Sequence, residues 1–394
     1  MLNNIGKACT ACHACESICP TKAISFKKDK YDVLYPKVDI KKCVHCNKCN
    51  IVCHIQNKIS TNEIKQGYVG YSLLRDKNKS ASGGICSALY QYCIEKDWNS
   101  FGVSYEITSG AKYIEICNEK DICSVRNSKY VYSDMSICFE KIKRYLKDNK
   151  IVLFIGLPCQ VAAIKRYIVS SNLCTDSLYL IEIICHGIAP QEYLDKHIRK
   201  IERKLNKKAD EVFFRDPNFG TSNYYFTLHK NGEIIYKQNV KRSDAYQLGY
   251  HDAIIYRENC YQCVYAQEKR VADLVLSDWY YDGKASKISF DDKNVSSILC
   301  CTDKGKYLLE RMQDERYIWF TDRPLSEAFN IQTTLNRPHK KNKARKKFLQ
   351  EYERTQDFDT SIKRSYRFQI IKNEIKYYLK INKIKQKIKL LFKQ

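Results

Sequence analysis

Eight cysteines within the first 53 residues fall into two matching runs. The first reads Cys9-x2-Cys12-x2-Cys15-x3-Cys19 and is followed by Pro20; the second reads Cys43-x2-Cys46-x2-Cys49-x3-Cys53 and is followed by His54. The copies are offset by 34 residues, an internal repeat. Thiolates at i, i+3 and i+6 can hold three iron corners of one cubane from a short loop whose amides face the sulfides. The fourth cysteine, expected to start a helix, then reaches the other cluster. On this reading Cys9, Cys12, Cys15 and Cys53 hold one 4Fe–4S cluster, and Cys43, Cys46, Cys49 and Cys19 hold a second. Structural zinc also uses paired CxxC, but a tetrahedral ion has no use for two fourfold runs of this rhythm. His54 reads as a neutral helix-start substitution rather than a ligand. Such a module moves electrons singly and does no substrate chemistry, so the rest of the chain must use them.

Three further cysteine sites lie next to turn residues. Cys159 follows Pro158 where the apolar run Ile151–Ile155 gives way to a helix, and a helix N-terminus favours thiolate. Cys185 ends a second apolar strand and precedes His186 and Gly187. Cys260-x2-Cys263 supplies a pair. Four thiolates suffice for a third cubane or for one zinc ion, and buried strand cysteines also serve as plain core residues. Spacing does not choose among these. Neighbours on a strand point to opposite faces, so His186 is badly placed to activate Cys185. The run Ser80-Ala-Ser82-Gly83-Gly84-Ile85 follows a strand and opens a helix. Its free amides and missing side chains suit a pyrophosphate, although the same run also makes an ordinary helix cap. It is neither a Walker loop nor a GxGxxG fingerprint.

The elements that must position these residues alternate. Strands are expected at Gly67–Leu74, Phe101–Glu106, Ala111–Cys117, Ile151–Ile155, Leu178–Ile184, Val212–Arg215, Tyr224–Lys230, Leu274–Ser277 and Val295–Cys301. Helices are expected at Gly84–Lys96, Met135–Asp148, Gln160–Val169, Pro190–Lys204 and Lys304–Asp314. Small strands at 23–26 and 32–38 should cover the clusters. This makes an α+β ferredoxin-type domain at 1–64, a mixed α/β core at 65–335 and a basic helical tail at 336–394. The chain has 394 residues, 44% apolar and 28% charged, so it can bury a sizeable core. Its longest apolar runs, such as 151–157, fall far short of the roughly 20 residues of a membrane span. The N-terminus shows no apolar signal core, which points to a cytoplasmic protein with reduced thiols. The remaining cysteines, among them Cys86, Cys93, Cys138 and the pair Cys300-Cys301, lack ligand spacing and read as reduced core residues.

Taken together, Ser82-Gly83-Gly84, Ser128-Lys129-Tyr130, Gly156-Leu157-Pro158-Cys159-Gln160, Cys185-His186-Gly187, Cys260-x2-Cys263, Arg270-Val-Ala-Asp273 and Asp278-Trp279 resemble a known family. It is that of the beta subunits of coenzyme F-420 hydrogenases and dehydrogenases, with a two-cluster ferredoxin domain in front. The resemblance implies that Cys159, Cys185, Cys260 and Cys263 bind a third 4Fe–4S cluster beside an FAD. It also implies that Ser82, Gly83 and Gly84 cradle the FAD pyrophosphate, with Lys129 near the phosphates or the flavin ring; the alternative for Lys129 is a solvated loop charge. The implied activity is an iron–sulfur flavoprotein oxidoreductase that couples one-electron carriers to two-electron chemistry on an organic substrate. Similar proteins in bacteria expected to lack the deazaflavin include some from surface-polysaccharide gene clusters. The alternative is an electron-transfer subunit serving a separate catalytic partner. No catalytic side chain is singled out. The expected partners are a low-potential donor or acceptor (a ferredoxin-like protein or reduced coenzyme) and a small-molecule substrate.

Net charge is +24, and residues 337–394 carry 19 Lys/Arg against five Asp/Glu. Phe368, Ile371, Ile375, Tyr378, Ile381, Ile384, Ile388 and Leu391 recur there at nearly helical spacing. Such a basic amphipathic helix suits an anionic membrane surface, or packs on the core with its lysines in water. No recognition motif accompanies the charge, so nucleic acid is not expected as a partner.

Overall fold

The computed structural model describes residues 5–74, 79–220, 224–240, 242–280 and 294–391, with side chains up to residue 379. Each N-terminal cysteine run is a loop that closes on one helical turn. These turns are α1 (Ala14–Ser17) and, beyond the antiparallel hairpin β1 (Ile24–Lys28)–β2 (Leu34–Val38), α2 (Lys48–Ile51). The sequence repeat persists in the backbone. Ala11 and His13 in the first loop, and His45 and Asn47 in the second, take left-handed φ values of 54°, 66°, 53° and 61°. Alternating hands in this way turns successive amides toward one concave side. Contrary to expectation, the turn contains the third cysteine of each run, and the fourth follows it. A spacing of four residues is one turn, so the helix carries the chain from one site to the next.

Among the described residues the core is built on a mixed nine-stranded sheet. Its first half comprises β3 (Gln66–Ser72), α3 (Ile85–Glu95), β4 (Asn99–Glu106), β5 (Gly110–Ile116), α4 (Glu119–Val125), β6 (Ser133–Asp134) and α5 (Cys138–Lys147). β7 (Val152–Gly156), α6 (Pro158–Ser170), β8 (Leu178–Ile183) and α7 (Gln191–Leu205) follow. A separate antiparallel sheet of β9 (Glu211–Phe213), β10 (Tyr225–Lys230) and β11 (Glu233–Asn239) leads to α8 (Ala245–His251). β12 (Leu274–Asp278), β13 (Ser296–Cys300), α9 (Asp303–Asp314), β14 (Ile318–Arg323) and α10 (Leu325–Ile331) complete the sheet. The strand order is β14-β3-β13-β12-β8-β7-β4-β5-β6, with β12, β8, β7 and β4 parallel and β13, β3 and β14 antiparallel beyond them. All five residues of β7 are buried, the pattern of a strand covered on both faces.

The cysteine module and the core share one interior. Ala14, Cys15, Ile24 and Val52 pack in the same apolar cluster as Phe101, Phe139, Ile142, Val161 and Tyr167. At the seam the buried Arg257 donates from Nη2 to the carbonyls of Cys9 and Leu34, both at 3.0 Å.

The expected tail boundary at 335/336 falls inside packed structure. α11 (Ala344–Thr355) and α12 (Phe358–Ser365) bury Phe348, Tyr352, Phe358 and Ile362 against the α7–α8 region. Lys200 pairs with Asp357 at 2.8 Å. α13 (Arg367–Leu391) follows α12. Phe368, Ile371, Ile375 and Tyr378 are exposed on it, while Glu374 pairs with Arg242 at 2.9 Å. The stripe residues Ile381, Ile384, Ile388 and Leu391 lie outside the residues whose side chains are described. No helix among the described residues is long and apolar enough to cross a membrane.

Candidate functional site

The two N-terminal quartets assigned from spacing each surround a small cavity. Cys9, Cys12, Cys15 and Cys53 bound one of about 20 Å³, with Thr10, Phe26 and Pro36. Cys19, Cys43, Cys46 and Cys49 bound another of about 60 Å³, closed by Val38, Val44 and Lys48. Backbone amides already face sulfur: Ala11 donates to Cys9 Sγ and Ala23 to Cys19 Sγ, each at 3.3 Å. Burial pushes the Cys12 thiol up to about 12 and Cys15 further, and neighbouring sulfurs add to the rise. Burial also acts upward on Cys19, but the Ala23 amide and Thr21 hydroxyl outweigh it and leave that thiol below its usual range. No three or more His, Cys, Asp or Glu among the described residues converge tightly enough for a single metal ion. The sulfurs stand around a space instead, and this suits a multi-atom core with one iron per thiolate.

The fold gathers the four core cysteines as well. Cys159 is the second residue of α6, Cys185 lies two residues past β8, and Cys260 and Cys263 sit within and just after a 3-10 turn at Glu258–Gln262. Every pair among the four interacts electrostatically. Burial first, then the sulfurs of Cys185, Cys263 and Cys260, hold the Cys159 thiol well above its ordinary range. Behind the quartet, Arg270 and Glu182 form a pair that is 1% exposed on each side. Arg270 Nη1 donates to the carbonyls of Tyr265 and Gln267, both at 2.8 Å.

A polar bridge joins the module to the third quartet. His54 is buried past α2 rather than at a helix start; its Nε2 pairs with Thr10 Oγ1 at 3.0 Å and its Nδ1 with Tyr265 OH at 2.6 Å. Burial pushes the His54 imidazole down to about 3, so it is neutral. Tyr265 feels Cys159 and Cys263 on one side and Cys12 and Cys53 on the other. No local signal in the sequence marks this bridge or Arg257, because each joins residues some 200 positions or more apart.

Beyond the third quartet opens a cleft of about 260 Å³ that Cys185 and His186 help to line. The predicted residues Ser82, Gly84 and Lys129 line it too, with Leu157, Gln160, Arg215 and Asp278. Gly84 takes φ 79° and caps α3, whose first internal bond runs from the Ala88 amide to the Gly84 carbonyl. The amides of Ile85, Cys86 and Ser87 therefore have no partner within the helix, and all three residues line the cleft. Gly83 is outside the lining. Its amide donates to Ser296 Oγ at 3.0 Å, and a Cβ there would lie 2.7 Å from the Gly70 carbonyl, so close packing is the reason for glycine. The Ser82 hydroxyl is also turned away, donating to the Val295 carbonyl at 2.9 Å. Lys129 is not a solvated charge: it bonds to the Ser124 and Arg126 carbonyls, and burial pushes it down to about 7. His186 pairs with His339 at 3.0 Å rather than with Cys185.

Residues 8–57 match the 4Fe–4S dicluster domain, which makes this an iron–sulfur protein. Residues 149–324 match the C terminus of the coenzyme F420 hydrogenase/dehydrogenase beta subunit, so the chain carries that family's C-terminal domain behind the dicluster module. A subunit of the F(420)H(2) dehydrogenase of Methanosarcina mazei is 24% identical over 242 residues, covering 57% of this chain and 65% of that protein. The beta subunit of the F420-dependent formate dehydrogenase 1 of Methanococcus maripaludis is 26% identical over 251 residues, 61% of this chain and 57% of that protein. The chain thus spans less than two thirds of the length of either relative. A ferredoxin-like protein in the nif region of Rhizobium leguminosarum bv. trifolii is 41% identical over 59 residues, 14% of this chain and 84% of that protein.

Proposed function

We propose that this chain is an iron–sulfur flavoprotein unit of an oxidoreductase, relaying electrons between a one-electron carrier and a two-electron organic partner at the cleft. The observation that carries this reading is the succession of thiol quartets. An exposed loop (Cys46 is exposed) leads to the Cys9 quartet, the Tyr265–His54 bridge leads on to the Cys159 quartet, and Cys185 stands at the cleft. The cleft suits FAD: the first turn of α3 lines it, a helix start suited to an anion, and Lys129 supplies a cation that phosphates would hold protonated. Gly84 keeps that helix end clear of side chain, and Gly83 seats it against β3. When bound, a flavin supplies the exchange between single and paired electrons. Arg270 and Glu182 fix the Cys263 loop, and neutral His54 holds Tyr265 in place between quartets. The relatives' names make a deazaflavin one candidate for the organic partner. The cytoplasm is the expected compartment, with exposed Phe368, Ile371 and Ile375 of α13 available to an anionic lipid surface.

The test is anaerobic reconstitution followed by iron, sulfide and flavin analysis. Three cubanes require about 12 iron and about 12 sulfide per chain, with one FAD. Eight iron and no retained flavin would overturn the reading beyond the dicluster module. A second reading, electron delivery to a separate catalytic subunit, is favoured by the relatives' naming as subunits. Reduction of organic two-electron acceptors by the purified chain alone would decide against it.

A further inference from the structure

The second cysteine loop is the most open of the quartet-bearing segments, with Val44 and Cys46 both exposed, and it is bordered by an unusual mixture of side chains. Ile40 and Val44 are each 60% exposed, an apolar patch beside the cavity of Cys43, Cys46 and Cys49. Lys41 and Lys42 precede the loop, Lys48 lines the cavity, and Lys22 lies between the lining residues Thr21 and Ala23. All four lysines are exposed, and among the described residues none has a carboxylate within ion-pair reach. Asp39, next in sequence to Ile40, accepts from the Lys41 amide at 3.0 Å. In the hairpin, by contrast, Lys28 is paired with Glu192 and Lys30 with Glu353, at 2.6 and 2.7 Å. Unpaired cations around an exposed apolar patch are the pattern of a transient, charge-steered interface. The chain's net charge of +24 extends the same attraction to longer range.

We infer that this rim is the docking surface for a small acidic iron–sulfur carrier protein, an inference that rests on the electron-relay reading above. Carboxylates around the carrier's own exposed cluster would face Lys22, Lys41, Lys42 and Lys48, while Ile40 and Val44 exclude water between them. One electron then leaves the reduced carrier, oxidising it by one, and the chain is reduced by one. No bond forms or breaks and no proton need move. The basic rim selects against cationic carriers by repulsion.

The experiment is stopped-flow reduction of the reconstituted full chain, followed by loss of its visible iron–sulfur absorbance. Two reductants are used, a reduced acidic ferredoxin and the methyl viologen radical cation. In the Lys22→Glu/Lys41→Glu/Lys42→Glu variant the bimolecular rate with ferredoxin should fall at least about tenfold at low salt and lose most of its salt dependence. The viologen rate should hold or rise. A Lys343→Glu/Lys346→Glu/Lys347→Glu variant at the start of α11, with the same change in net charge, should lose far less. Equal losses in the two variants, or an unchanged ferredoxin rate in the first, would overturn the docking surface. A wild-type chain that viologen fails to reduce would instead overturn the relay reading. Should the triple variant lose iron, the single Lys42→Glu variant, whose side chain does not line the cavity, carries the same comparison.

Discussion

Replacing Arg270 with methionine tests how the third quartet is held. The guanidinium is 1% exposed and donates to the Glu182 carboxylate from Nε at 2.8 Å and from Nη2, and to two carbonyls from Nη1. Methionine keeps much of the volume and none of these donors. Stranding the buried Glu182 carboxylate costs about 3–5 kcal/mol. The abandoned carbonyls of Tyr265 and Gln267 add about 1–3 kcal/mol each, less whatever water recovers. A net loss of about 5 kcal/mol is therefore expected, comparable with the whole stability of many domains. Removing both charges in Glu182→Leu/Arg270→Met should restore about half of it, because the lone charge is the larger cost. Anaerobic urea unfolding followed through the three tryptophans reads the stability. Iron analysis reads the local effect: Tyr265 and Gln267 follow Cys263 directly, so iron should drop from about 12 to about 8 per chain, one cubane. An Arg270→Met protein with full iron, unfolding within about 1 kcal/mol of the parent, would refute this account.

Cys159→Ala should likewise remove about four iron per chain while the N-terminal quartets keep theirs, and viologen-driven reduction at the cleft should slow sharply; unchanged iron would make Cys159 a plain core residue. His197 is buried between Asp244 at 3.0 Å and Asp359 at 3.1 Å. Burial alone would lower its affinity for the proton, but the two carboxylates outweigh it and raise it to about 10. Since the folded value lies above the unfolded one, the stabilisation is full below about pH 6.5 and is lost as pH rises toward about 10. Urea midpoints of His197→Gln should accordingly lack the alkaline decline of the parent, and parallel declines would contradict the ion-pair description.

What could be read from the sequence followed the range of the interaction. Ligand spacing inside one loop is local, so the Cys9 and Cys43 runs anticipate which cysteines surround each of the two cavities, with Cys19 and Cys53 exchanged. Period-2 and helical patterns placed β3, β4, β5, β7, β8, β12 and β13 within a residue or two, and α3, α5 and α6 within about three, because each buries a clear face. β14 escaped notice: Ile318–Arg323 is a short edge strand, and only its pairing with β3 reveals it. α11 and α12 were read into a basic tail because charge dominates their composition. Four buried aromatic and aliphatic positions, Phe348, Tyr352, Phe358 and Ile362, tie them to the core, and their significance needs α7 and α8 in place. Gly83 was grouped with its neighbours as an anion cradle. Its actual constraint is the approach of β3 and β13, strands separated by more than 200 residues, to which sequence proximity offers no clue.

The shared interior of module and core has a consequence for motion. A carrier domain that swings on a linker shuttles charge by travelling between two docking positions, and its stroke sets the rate. Here Val52 and Ala14 are keyed into the same apolar cluster as Phe139 and Tyr167, and Arg257 clamps the Cys9 and Leu34 carbonyls. Undocking would expose that cluster and strand a buried guanidinium, so the module works as fixed wiring rather than a moving arm. Distances between quartets are then constants of the fold. Turnover would be paced by arrivals and departures at the two ends, and amide exchange in the module should report the same opening as the core sheet.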